Sequence, residues 1–173
     1  AVPSSARVLD VGCGDGELMV ALQGKGVDAR GLEIDPANVT AAIARGQSVV
    51  QGDANRDLAD YPNDAFDYAI LSQTLQAMHN AEGLLREMAR VGREGVVSFP
   101  NFGHWKHAVS LLAGRMPVTK HIPYQWYDTP NIHLCTLKDF EILASKVGLT
   151  ITARSVLAEG KPVNVLPGLR STL

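Results

Sequence analysis

The run Arg7-Val8-Leu9-Asp10-Val11-Gly12-Cys13-Gly14-Asp15-Gly16 reads as a short apolar strand that ends in a glycine-rich turn and opens a helix. Glycine reaches positive φ and lets the backbone approach a ligand that a Cβ would block. Such a loop at a helix start presents N–H groups that have no partner within the helix. The spacing then separates ligands. A dinucleotide fingerprint, G-x-G-x-x-G, would put glycine or alanine where Glu17 stands. No Lys-Ser/Thr pair follows, which removes a phosphate-cradling P-loop, and Asp15 and Glu17 would repel a pyrophosphate.

Two further acids recur at the spacing of successive strand–helix units. Glu33 ends Ala29-Arg30-Gly31-Leu32, roughly twenty residues after Gly12, where an acid typically binds ribose hydroxyls. Asp53 follows Val49-Val50-Gln51-Gly52, one unit further on. Glycines, then a ribose acid, then a third-strand acid for an adenine amine: this order resembles the Rossmann-like S-adenosylmethionine-dependent methyltransferases. The resemblance implies S-adenosylmethionine or S-adenosylhomocysteine as cofactor. The candidate contacts are Asp10, Gly12, Cys13, Gly14, Gly16, Glu33, Ile34, Asp53, Ala54 and Ser72. Asp10 is expected to orient the loop, or the methionine amino group through water. The alternatives are a ligand-free tight turn, a solvated strand-end acid at Glu33, and ordinary Gly-Asp turn chemistry at Asp53.

Composition limits the function classes. The 173 residues suit one domain with a real core, expected to span 1–173. Hydrophobic content of 46% and charged content of 20% are ordinary for a soluble globular protein, and a net charge of −2 without a basic run argues against a nucleic-acid footprint. No apolar stretch approaches the roughly 20 residues of a membrane span. Two cysteines, Cys13 and Cys135, make no disulfide framework, and a reducing cytoplasm is expected. The start at Ala1-Val2-Pro3, directly ahead of the first strand, reads as a trimmed chain.

Strand and helix signals alternate, the mark of a mostly parallel sheet covered on both faces. The first helix is expected over about 16–23, with Leu18, Ala21 and Leu22 inward. Asp35-Pro36 starts a second, with Val39, Ala42 and Ile43 inward and its end near Gly46. Strands are expected over 48–51, 66–71 and 95–99, and a helix over 81–91 that Gly92 closes. Thr136 caps a last helix, with Asp139 as an acidic variant of the capping box and Leu137, Phe140, Leu143 and Val147 as its stripe. A sixth strand is expected over 149–157. The expected sheet order is 3-2-1-4-5-(7)-6.

The connection 101–135 is unusual. It holds Trp105, Trp126, Tyr124, Tyr127 and four of the five histidines, His104, His107, His121 and His133. A helix is expected over about 105–112. Pro117, Pro123 and Pro130 keep the remainder irregular. A long irregular stretch in a compact domain is usually functional or disordered, and this aromatic content argues against disorder. It leaves the fifth strand at the carboxyl edge, where open α/β sheets bind ligands.

Longer blocks carry a closer resemblance. These are LSQTLQ (71–76), SFPNFGHW (98–105), GRMPVT (114–119) and WYDTPNIH (126–133), with LDVGCGDGEL, GLEID and QGD before them. Together they resemble the MetW family across almost the whole chain. The resemblance implies a class I methyltransferase-like fold and a place in methionine biosynthesis. It also implies association with homoserine O-acyltransferase (MetX), the α/β-hydrolase that acylates homoserine on its hydroxyl, which MetW is thought to support. Against the family pattern, this chain is expected to lack a helix before the first strand. It is also expected to stop, after Leu166-Pro167-Gly168-Leu169-Arg170, within a final antiparallel strand.

Catalytic residues are not legible. Methyl transfer needs positioning, plus a base if the nucleophile carries a proton. The Asn-Pro-Pro-Tyr type motif of amino-group methylation is absent, and Ser72-Gln73-Thr74-Leu75 stands there. His79, His104 and His133 are candidate bases, although a histidine at a loop or helix start more often makes a structural hydrogen bond. The histidine spacings match no metal-ligand set, so no metal is expected. No serine nucleophile elbow exists, which assigns acylation to a partner. Two functions stand: an accessory subunit of homoserine O-acyltransferase that docks through Phe102, Trp105, Tyr124, Trp126 and Tyr127, or a free-standing small-molecule methyltransferase with those aromatics as a lid.

Overall fold

The computed structural model describes residues 2–119, 122–158 and 161–163. The chain divides into two compact units, 1–99 and 100–173.

The first unit is a five-stranded parallel sheet in the order β3-β2-β1-β4-β5. Its strands are β1 (Arg7–Val11), β2 (Asp28–Glu33), β3 (Ser48–Gln51), β4 (Phe66–Ser72) and β5 (Gly92–Ser98). β1 lies between β2 and β4, with Asp10 level with Gly31 on one side and Ile70 on the other. The strand order reverses at β1. Right-handed crossovers therefore put α1 (Glu17–Gln23) and α2 (Pro36–Ala44) on one face, and α3 (Ala54–Asp57) and α4 (Ala81–Val91) on the other.

Both faces of the central strands are buried. Val8, Leu22, Val27 and Ile70 form one cluster, with Leu18 and Tyr68 packed against it. Leu9, Val11, Leu32 and Leu71 alternate to the opposite face, and α4 buries Leu84, Leu85, Met88 and Val91.

Local signals decide the element starts. The Asp35 carboxylate accepts from the Ala37 amide at 2.8 Å, and Pro36 opens α2 as expected. Two inward expectations fail: Ala21 and Ile43 are exposed, and Met19 is the buried residue of α1 beside Leu22. Gly92 ends α4 as expected, its amide donating to the Met88 carbonyl. It is extended at φ −113° and is the first residue of β5, so α4 runs into the strand without a turn.

The second unit holds α5 (Trp105–Leu112), α6 (Leu137–Lys146) and a pair of strands, β6 (Val156–Ala158) and β7 (Lys161–Val163). The sixth strand is thus shorter than expected. Residues 149–155 form no strand, and β6 pairs antiparallel with β7 in a two-stranded sheet of its own. His121 and the 166–170 motif lie outside the described residues.

Thr136 and Asp139 form the full capping box. Each backbone N–H donates to the other's side chain, and the Thr136 hydroxyl donates to Asp139 Oδ2 at 2.7 Å. That hydroxyl, first among the causes, holds the Asp139 carboxyl below its usual range. Thr136→Ala is expected to cost about 1 kcal/mol, read as a lower urea midpoint at unchanged slope. An unchanged midpoint would show that α6 does not depend on its cap.

Candidate functional site

The carboxyl edge of the first unit gathers the candidate ligand residues at the point where strand order reverses, where open α/β sheets place ligands. The loop after β1 turns through Gly12, Gly14 and Gly16 at φ 70°, 54° and 80°. Gly12 admits no side chain: a Cβ there would stand 2.5 Å from Thr74 Cγ2. At Gly14 the corresponding space is open. The loop is fastened to β2 by the Gly12 amide, which donates to the Leu32 carbonyl at 2.8 Å.

Glu33 does more than the sequence suggests. It is 7% exposed, and both carboxylate oxygens accept backbone N–H groups, Oε2 from Gly14 at 2.8 Å and Oε1 from Asp35 at 2.9 Å. It therefore braces the glycine loop against the turn that starts α2. A carboxylate offers about four acceptor positions, so capacity for ribose hydroxyls is left. Ile34 beside it is 62% exposed, an apolar surface at the rim of the site.

Asp53 is the N-cap of α3. Its Oδ1 accepts from the Asn55 amide and side chain, both at 2.9 Å, and its own N–H donates to Asp57 Oδ2 at 2.7 Å. Ala54 follows, buried. Ser72 ends β4, half-buried, with its hydroxyl 3.4 Å from that of Ser98.

Asp10 is the most perturbed group. It is 1% exposed, and its Oδ1 has no hydrogen-bond partner. Burial first, and the Glu33 charge second, push its carboxyl from 3.8 up to about 7. The same burial, followed by the charges of Asp10 and Glu33, pushes the Cys13 thiol up to about 12. A thiol so held stays protonated and is no nucleophile.

Sequence reading missed Thr74, Asp57, Asn55 and Gln76. Thr74 meets Gly12 across a sequence separation of 62, its hydroxyl 3.4 Å from the Gly12 carbonyl, which no local pattern signals.

Of the candidate bases, His79 and His133 are exposed, while His104 caps α5 by accepting from the Lys106 amide at 3.3 Å. In the second unit, Trp126 and Tyr127 are 72% and 70% exposed and stack edge to face at 5.6 Å. Trp105 and Tyr124 are exposed as well. Phe102 is half-buried, with its ring 5.5 Å from that of His107. Among the described residues no group of three or more His, Cys, Asp or Glu side chains could hold a metal ion, and no helix is long and apolar enough to cross a membrane.

The family model described as methionine biosynthesis protein MetW matches residues 1–171. The chain belongs to the MetW family. A family relative, the bifunctional methionine biosynthesis protein MetXA/MetW of Rhodopirellula baltica, is 36% identical over 163 residues. That match takes in 87% of this MetW-family chain and 26% of the relative, so the chain spans about a quarter of that protein's length. Ajmaline N-methyltransferase of Rauvolfia serpentina is 32% identical over 98 residues, 51% of this chain and 33% of that one. Among solved structures, an S-adenosylmethionine-dependent methyltransferase from Archaeoglobus fulgidus superposes with a TM-score of 0.66 at 18% identity, over 83% of this chain and 61% of that one. Phosphoethanolamine N-methyltransferase 2 of Haemonchus contortus, solved with S-adenosyl-L-methionine, gives 0.65 at 18% identity, over 86% and 34%. At those identities the likeness establishes the fold, which is that of class I methyltransferases.

Proposed function

We propose that this MetW-family chain binds S-adenosylmethionine or S-adenosylhomocysteine at the carboxyl edge of its sheet and serves as an accessory domain of homoserine O-acyltransferase. The ligand reading is supported by the buried, unpartnered Asp10 Oδ1 beside a loop of three positive-φ glycines in which Gly12 admits no side chain. Glu33 would accept ribose hydroxyls on its remaining positions, while Asp53 and Ala54 would hold the adenine edge and Ile34 would cover its face. Gly12, Cys13, Gly14 and Gly16 would line the ligand with backbone, and Asp10 and Ser72 would face its amino-acid end. When bound, S-adenosylmethionine supplies a sulfonium-activated methyl group. What the chain supplies is positioning, because Cys13 is held protonated and His79 is solvent-exposed.

The observation that carries the accessory reading is the relative in which a MetW segment is joined to MetXA in one chain. Covalent joining keeps two domains at high effective concentration, as a working complex requires. The exposed Trp105, Tyr124, Trp126 and Tyr127 of the second unit, together with the half-buried Phe102, would supply the docking contacts; Trp and Tyr are enriched in interface hot spots. The likeness to ajmaline N-methyltransferase favours the second reading, a free-standing methyltransferase.

The deciding measurement is acyltransferase activity and complex formation with and without this protein. Trp126→Ala is expected to weaken the complex roughly tenfold or more, with cooperative unfolding retained. Full activity of the acyltransferase alone, with no detectable complex, would overturn the accessory reading and leave the methyltransferase one.

A further inference from the structure

α5 presents its apolar side outward. Trp105, Val109 and Leu112 recur at i, i+4 and i+7 and so share one face of the helix. In a packed domain such a face is the one that is buried. Here the three side chains are 46%, 55% and 89% exposed, and Ala108 beside them is exposed as well. What α5 buries is His107, two residues on from Trp105 and therefore on the far side. The His107 ring lies 5.5 Å from that of Phe102, and its Nδ1 is 3.3 Å from the Phe102 carbonyl. The Phe102 amide in turn donates to the Cys135 carbonyl at 3.0 Å, just ahead of α6. The inward side of α5 is fastened by its own contacts, so the apolar stripe stays outside.

Charge marks the same helix. Between Glu94 and Asp128 the chain has no acidic residue, although it holds 18 Asp and Glu in all. The same stretch carries Lys106, Arg115 and Lys120. Lys106 and Arg115 stand at the two ends of the stripe, on a helix of 8 residues that is about 12 Å long. The Lys106 Nζ lies 5.8 Å from the centroid of the Trp105 ring. Arg115 is held against the last turn: its amide donates to the Ser110 carbonyl at 3.0 Å, and its carbonyl accepts from the Ser110 hydroxyl at 3.1 Å. Both cations are exposed, and neither is in an ion pair among the described residues. A positive charge at each end of an apolar stripe calls for acids at matching places on whatever covers it.

We infer that α5 docks, stripe first, into an apolar groove of a partner protein whose rim is acidic. The accessory reading above supplies that partner, homoserine O-acyltransferase, and the inference rests on it. Anchors at i, i+4 and i+7 are the way a helix engages a groove: the apolar side chains fill it and the flanking charges fix the register. A second copy of this chain fits less well. In an antiparallel pair of α5 helices, Lys106 of each copy would stand beside Arg115 of the other, like charge against like. A membrane would accept the cations. Three side chains, however, submerge less apolar surface than a single myristoyl chain, which alone gives only marginal membrane binding.

The test is the kinetics of acyltransferase binding by surface plasmon resonance, at low and at high salt. Leu112→Glu puts a charge on the most exposed position of the stripe and is expected to raise Kd about tenfold or more. Ile142→Glu, on α6 and likewise an exposed apolar position, is expected to change it less than about twofold. Lys106→Glu combined with Arg115→Glu is expected to slow association about tenfold at low salt and to remove most of its salt dependence. If Leu112→Glu fails to fold, Val109→Glu on the same stripe decides. An unchanged Kd in Leu112→Glu, an equal loss in Ile142→Glu, or association untouched by the double charge reversal each overturns the α5 inference and leaves the accessory reading standing. Flotation with phosphatidylglycerol vesicles and sedimentation of the protein alone expose the other occupants. Vesicle binding or a dimer that Leu112→Glu abolishes would make a membrane or a second copy the occupant, and the inference would fall. A wild type that binds no acyltransferase overturns the accessory reading, and this inference with it.

Discussion

Asp10→Asn is expected to raise the stability of the ligand-free protein at about pH 8, by on the order of 4 kcal/mol, and to change it little at about pH 4. The Asp10 carboxyl is raised from 3.8 in the unfolded chain to about 7 in the fold, by burial first and by the Glu33 charge second. Folding therefore favours the protonated form. Below 3.8 both states hold the proton and the fold carries no penalty. As pH rises towards 7 the unfolded chain releases its proton while the folded one must keep it, so stability falls throughout that window. The gap corresponds to on the order of 4 kcal/mol at about 1.4 kcal/mol per pH unit. Asparagine has nearly the same shape and no charge, so the variant should lack this slope. Urea unfolding of both proteins from about pH 4 to pH 8 gives the difference directly, and other titrating groups cancel in it. Parallel profiles would show that Asp10 keeps an ordinary carboxyl. The same variant should bind S-adenosylhomocysteine more weakly. A residue that destabilises the empty fold and strengthens the loaded one is the expected signature of a binding site.

The alternation of elements was legible because each start carries its own local chemistry. Asp35-Pro36 and Thr136 with Asp139 show their side-chain caps directly. The glycine loop announced itself by composition, and Glu33 and Asp53 by their spacing from it. What failed depended on tertiary fit. Met19 took the place expected for Ala21 because β2 has Gly31 opposite: a Cβ there would stand 2.9 Å from Met19 Sδ and 2.5 Å from Cys13 Sγ. Helical periodicity in a helix of 7 residues could not supply that. The pairing of 156–158 with 161–163 was unreadable for a related reason: strand pairing is set by partners, not by the run of apolar residues. In the site, the sequence offered Glu33 as a candidate ribose acceptor and gave no sign of it as a brace. That role depends on where the Gly14 and Asp35 amides point once both loops are formed.

Glu33→Ala should accordingly destabilise the protein even with no ligand present, by about 3 kcal/mol, since two charge-assisted hydrogen bonds to backbone N–H groups are lost. An acceptor that served only ribose would leave the ligand-free unfolding midpoint where it was and lower the affinity alone, and that result would refute the bracing role. Glu33→Gln separates charge from shape. Its amide has one oxygen, so one of the two backbone donors would meet an NH2 group and the brace would be half lost. The same change removes the negative charge that is the second cause of the raised Asp10 carboxyl. Asp10 should then ionise at lower pH, and the stability lost between about pH 4 and pH 8 should shrink. The two residues are therefore expected to be non-additive: at about pH 8 the gain from Asp10→Asn should be smaller in a Glu33→Gln background than in the wild type. Equal gains in both backgrounds would mean that burial alone governs Asp10. A smaller gain would mean that the acid holding the glycine loop also sets the proton affinity of the acid beneath it.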